Sequence, residues 1–159
     1  MTIEEIIKSN AVLPIEKKVV LNILYANNVI AEKFNEVLKP FDISSEQFNV
    51  LRILRGQQGL PANMFLIQER MLAKTSNTTR LVDKLLLKNL VTREICPNNR
   101  RKMEVAITEK GLALLEALDP KVQDHERNFA INMSPEEMEQ LNALLEKFRT
   151  FSRETKSGS

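Results

Sequence analysis

The chain has 159 residues, 43% hydrophobic and only 5% aromatic, with four glycines, six prolines and no tryptophan; that is the size of one domain and argues against a many-stranded sandwich or barrel. The formal charge of +2 excludes nothing by itself, but residues 70–102 hold nine basic against two acidic side chains, a local balance of +7 that leaves −5 elsewhere. A basic middle between acidic flanks suits one anion-binding face with separate assembly surfaces, although a solvated charged face is the plainer alternative.

A single cysteine rules out an internal disulfide, and no N-terminal apolar run resembles a signal peptide or a membrane span. The expectation is a cytoplasmic protein with no membrane partner. His125 and Cys96 stand in no ligand spacing, so no metal and no cofactor is expected. Neither paired carboxylates nor a phosphate loop nor a nucleophile motif points to an enzyme.

Residues 1–14 form a weakly amphipathic arm ending at Pro14. Over residues 15–39, Val19, Ile23, Ala26, Ile30, Phe34, Val37 and Leu38 recur at spacings of three and four, which predicts one long amphipathic helix closed by Pro40. Ser44 to Gln47 has the form of a capping box, and the helix it opens should run to the glycines at 56 and 59. A short helix over 65–72 and a longer one over 76–89, separated by Ala73, Lys74 and Thr75, suggest a helix-turn-helix. Residues 90–95 and 103–107 read as a β-hairpin whose loop, 96–102, carries a basic tip. Thr108 should cap a helix through Leu112, Leu115 and Leu118 that breaks at Pro120 and resumes past His125. Ser134-Pro135-Glu136-Glu137 is a strong start for a last helix with Met138, Leu141, Leu145 and Phe148 on one stripe, and residues 157–159 should fray. The predicted fold class is mostly α with a small β-hairpin wing: a single winged helix-turn-helix protein over 1–159, without repeats or low-complexity tracts.

The string from Leu66 to Val91, then Pro97-Asn98-Asn99-Arg100-Arg101 and Val105 to Gly111, resembles the helix-turn-helix, wing tip and following helix start of the MarR (multiple antibiotic resistance regulator) family. Residues 43–51 are similar to the segment that opens its second helix. The resemblance implies a DNA-binding winged helix over 43–111 and dimerisation helices over 15–39 and 112–151. It also implies a homodimer on a pseudo-palindromic operator, acting as a repressor released by a small, often aromatic effector. Three positions depart from the family pattern: Asn99 stands where an acidic partner of the wing arginine is usual, Asn89 where glycine commonly ends the recognition helix, and Leu72 where a small turn residue is common.

A recognition helix reads bases with its first turns. That gives Ser76, Asn77, Thr78 and Arg80 as candidates: Asn77 for a two-point contact with adenine, Thr78 for a thymine methyl, Arg80 for guanine or a phosphate. Lys84, one turn on, suits a phosphate. Arg100, Arg101 and Lys102 at the wing tip can enter a minor groove or track phosphates. The effector would lie near Tyr25, Phe34, Phe48 and Arg52, with Phe41 nearby, although aromatics at helical spacing are more often core. Cys96 next to the wing turn is a candidate oxidant sensor, and His125 reads as a satisfied or solvated side chain. The partners expected are therefore double-stranded DNA, a second copy of the chain and a small aromatic effector. The rival class is a winged-helix interaction or dimerisation module without DNA binding.

Overall fold

A computed structural model describes residues 1–150, so Phe151, the end of the second dimerisation segment, and the predicted fraying of 157–159 lie outside the described residues. The chain falls into two compact units, Met1–Val122 and Gln123–Ser159.

The first unit opens with a short helix where the sequence predicts only an arm. In α1 (Ile3–Ile6), Thr2 and Glu5 form a reciprocal capping box, Lys18 pairs with Glu4, and Ile3 and Leu13 are buried. Helix α2 (Ile15–Leu38) follows as predicted and passes into a 3-10 turn, Lys39–Phe41, containing Pro40. The chain leaves that turn through Asp42 in the left-handed region (φ 53°), which reverses its direction into α3 (Ser45–Arg55). Ser44 and Gln47 close the predicted capping box there. Phe48, Val50, Leu51 and Leu54 make α3 the spine of the core.

Strand β1 (Ala62–Asn63) has no sequence signature, because two residues cannot show a period of two, and Asn63 also caps the next helix through its Oδ1 (2.9 Å to Leu66 N). The helix-turn-helix is α4 (Met64–Arg70) and α5 (Thr78–Leu87), and the wing is β2 (Val91–Cys96) and β3 (Asn99–Ile107). The sheet is antiparallel in the order β1-β3-β2, with fully buried Val105 facing Ala62 on one side and Arg93 on the other. Helix α6 (Glu109–Ala130) then returns across the core through Leu115, Leu118 and Val122. Its start is held by Thr108 Oγ1, which accepts from Gly111 N–H at 3.0 Å. Arg55 on α3 grips Asp119 on α6 with two hydrogen bonds of 2.8 and 3.0 Å.

The predicted break at Pro120 does not occur: the helix is continuous from Glu109 to Ala130. Proline removes one helical bond and disfavours the preceding turn. Here Pro120 and Glu116, the residue four back, both lie on the exposed side, while Leu118 and Val122 anchor the buried side across the defect.

In the second unit, the ring of His125 meets Phe129 edge to face at 5.1 Å. Helix α7 (Pro135–Arg149) starts at the predicted capping box of Ser134 and Glu137, with Pro135 in its first turn. No residue of α7 is buried, and Met138, Leu141, Leu144, Leu145 and Phe148 remain exposed.

Candidate nucleic-acid interface

The turn between α4 and α5 is seven residues, 71–77, rather than the three predicted, and α5 begins at Thr78 rather than Ser76. The apolar side of α5 lies where the spacing puts it, with Leu81, Val82 and Leu85 buried, and the later start changes only which residues cap the helix and open its first turn. Its consequence falls on three of the candidate readers. Thr78 is buried at 5% exposure with its hydroxyl donating to Gln68 Oε1, so it belongs to the interior and not to a base-reading face. The Ser76 hydroxyl oxygen is also buried, and lacks a hydrogen-bond partner among the described residues. Asn77 is the exposed N-cap, with Oδ1 accepting from Arg80 N–H at 3.1 Å. A two-point adenine contact needs that same oxygen, so it would compete with the cap; the amide nitrogen remains as a donor.

Arg80 and Lys84 are exposed one turn apart, and the structure adds Thr79 beside them. Only the misplaced helix start hides Thr79 from sequence reasoning. Asp83 shares this face, and its Oδ1 accepts from Arg93 Nη1 on β2 at 2.8 Å. The far end of α5 is closed by a complete Schellman motif. Leu90 N–H bonds Leu85 O at 3.1 Å, Asn89 N–H bonds Leu86 O at 3.0 Å, and Asn89 sits at φ 58° in the glycine position. Thr108 donates to Asn89 O and Lys110 to Lys88 O, which fastens the helix end to the start of α6.

The wing differs from the predicted seven-residue loop. Strand β3 begins at Asn99, so the turn is only Pro97-Asn98. Neither turn residue has the positive φ that tight hairpins use to match strand twist, and the pairing is irregular as a result. Register steps from Ile95↔Met103 directly to Cys96↔Asn99, leaving Arg100, Arg101 and Lys102 outside it. All three are exposed. Asn99 Oδ1 accepts from the Arg101 backbone N–H at 3.1 Å, a local bond that replaces the charged pair expected of an acidic residue there. Cys96 is a free, half-buried thiol at the same register step.

Three of the four effector candidates, Phe34, Phe48 and Arg52, come together, and Tyr25 stands apart. Phe48 is core at 5% exposure, Phe34 meets it edge to face at 5.3 Å, and the Arg52 guanidinium lies 5.8 Å from the Phe48 ring centre. Tyr25 is exposed on α2, nine residues before Phe34 and hence about 13 Å along the helix from it. Phe48 therefore acts as packing. Among the described residues, no helix is long and apolar enough to cross a membrane, and no group of three or more His, Cys, Asp or Glu could hold a metal ion.

Two helices joined by a turn, followed by a hairpin with three cations outside the strand register at its tip, define a winged helix-turn-helix protein. The MarR family model matches residues 43–103. The chain is 31% identical over 115 residues to the multiple antibiotic resistance protein MarR of Escherichia coli K12, covering 71% of this chain and 78% of that one. It is 23% identical over 126 residues to the homoprotocatechuate degradative operon repressor of Escherichia coli, covering 79% and 84%. The crystal structure of a cysteine-to-serine mutant of Escherichia coli MarR, complexed with operator DNA, superposes with a TM-score of 0.73 at 29% identity, covering 80% of this chain and 91% of that one. The chain belongs to the MarR family of transcriptional regulators.

Proposed function

We infer that this regulator is a cytoplasmic, sequence-specific binder of duplex DNA that acts as a homodimer on a pseudo-palindromic operator. The observation that carries this reading is the pairing of an exposed polar stripe on α5, Thr79, Arg80 and Lys84, with three cations released from strand pairing at the wing tip. A helix face of this kind suits a major groove, and long cationic side chains beyond a hairpin suit the adjacent backbone or minor groove. The MarR relative crystallised with operator DNA supports it.

Dimerisation is supported by apolar surface that the chain leaves uncovered. Ile15, Val20, Leu24 and Ile30 on α2 are exposed, as are Leu141, Leu144, Leu145 and Phe148 on α7. Two copies related by a two-fold axis would present two α5 helices to half-sites about 34 Å apart. Repression is supported by the name of the homoprotocatechuate degradative operon repressor. For release by a small aromatic effector, exposed Tyr25 and Arg52 remain the accessible members of the candidate set.

Selection of bound duplexes from a random pool tests the reading, followed by salt titration of the winning sequence. The expected result is a two-fold-related consensus whose affinity falls steeply with salt. Binding of protein partners alone, or DNA binding without salt dependence, would favour the interaction-module alternative.

A further inference from the structure

We propose that Gln68 is a positioning residue that sets the rotational phase of the recognition helix, and hence which side chains of α5 meet DNA. This rests on the DNA-binding reading above and extends it to a residue that touches no DNA.

Gln68 lies near the end of α4 and is half-buried. Its two amide ends reach the middle of the seven-residue connector and the first residue beyond it. Nε2 donates to Lys74 O at 2.8 Å, and Oε1 accepts from the hydroxyl of Thr78, the first residue of α5. Only a primary amide offers a donor and an acceptor in that arrangement. The connector has few other anchors: Leu72 N–H donates to Asn49 Oδ1 at 2.9 Å, Ser76 N–H donates to Ala73 O at 3.1 Å, and Lys74 Nζ returns to Glu69 O. Of the connector's own residues, Met71 is buried in the core and Asn77 reaches α5, its Oδ1 accepting from Arg80 N–H at 3.1 Å.

Leu81, Val82 and Leu85 seat the apolar side of α5 in the core, and Gln68 adds the side-chain contact that holds its first residue inward. Each residue turns the helix by about 100°, so holding Thr78 inward places Thr79 and Arg80 outward and Lys84 below them. If Thr78 swung outward, the same stripe would rotate away from a groove. Thr78 and Gln47 are the two polar residues buried among the described residues, so the contact is made where an unpaired group is costly.

The deciding variant is Gln68→Leu/Thr78→Val. Replacing both partners by apolar groups of similar shape is close to neutral for folding, whereas either single change strands one polar group. The double variant should melt within a few degrees of the wild type. It should nevertheless lose about tenfold in the ratio of operator to random-sequence affinity, with an unchanged salt slope because the phosphate contacts remain. Thr78→Ser, which keeps the hydroxyl, should preserve the ratio despite losing a buried methyl. If the double variant is stable and keeps the wild-type ratio, the positioning role is wrong while the DNA-binding reading stands. Loss of the ratio in Thr78→Ser also overturns it, since specificity would then follow packing. If wild-type protein shows no salt-dependent preference for any selected duplex, both fall together.

Discussion

Arg93 of β2 donates from Nη1 to Oδ1 of Asp83 on α5 at 2.8 Å, so the wing and the recognition helix are joined by an ion pair on the face proposed to meet DNA. The two side chains are 34% and 51% exposed, and a pair so open to solvent adds little to stability. Its larger effect is electrostatic. Arg93 neutralises the one carboxylate on the α5 face that carries Arg80 and Lys84.

Arg93→Ala should therefore weaken operator binding at low salt by about 1 kcal/mol, roughly fivefold, while the melting temperature barely moves. Arg93→Ala/Asp83→Asn should recover part of that loss, because the uncovered acid is gone. Fluorescence titration of both variants alongside calorimetric melting checks this. A double variant that binds worse than Arg93→Ala would show that the pair acts by geometry and not by charge.

Gly111 marks where α6 crosses the exit of the recognition helix. A Cβ there would stand 2.4 Å from Leu90 O and 2.7 Å from Ile107 Cγ1. Replacing glycine by alanine inside a helix ordinarily gains up to about 1 kcal/mol. Backbone oxygen cannot yield as a flexible side chain does, so the clash should outweigh that gain. Gly111→Ala is expected to destabilise by about 1–3 kcal/mol, and thermal unfolding measures it directly. A raised melting temperature would mean that the helix shifts freely at this crossing.

Most of this architecture is legible in the sequence because its signals are local. Ser44 with Gln47 and Ser134 with Glu137 announce helix starts by chemistry that acts within three residues, and both form. Asn89 takes the left-handed corner, φ 58°, at the position where glycine commonly ends this helix. What is not legible depends on contacts across the chain. Thr78 reads as a base contact because it falls in the first turns of the recognition helix, and only its burial and its tertiary contact to Gln68 show that it faces inward. Phe48 likewise carries no sequence mark that distinguishes core from pocket. Pro120 stays helical because burial on the opposite side of α6 outweighs a local preference.

The exposed stripe Met138, Leu141, Leu145 and Phe148 on α7 gives a direct test of assembly. A glutamate at Leu141 or Leu145 would place a charge in a surface that a partner copy should cover, at a cost of several kcal/mol if buried unpaired. Sedimentation of Leu141→Glu should show monomer, or unfolding, at concentrations where the wild type is dimeric. A wild type that sediments as a stable monomer at micromolar concentration removes the two-fold model.

At the wing, Asn99 Oδ1 is engaged with the Arg101 backbone N–H at 3.1 Å, so the loop conformation is braced while the guanidinium has no acidic partner from residue 99. Asn99→Asp preserves that acceptor and adds a negative charge. Two effects then oppose. A carboxylate can hold the Arg101 side chain in place with a charged bond roughly twice as strong as a neutral one, reducing the entropy lost on binding. It also repels phosphate, and that repulsion acts most strongly when salt is low. Asn99→Asp should therefore bind less tightly than wild type at low salt and approach or exceed it as salt rises. Arg101→Ala should lose affinity at every salt concentration, and most on operators with A·T-rich flanks, whose narrow minor groove attracts arginine. A salt titration of the three proteins on A·T-rich and G·C-rich flanks separates these effects. If Arg101→Ala binds every duplex as wild type does, the three cations at the wing tip do not contact DNA and the wing's place in the interface is lost.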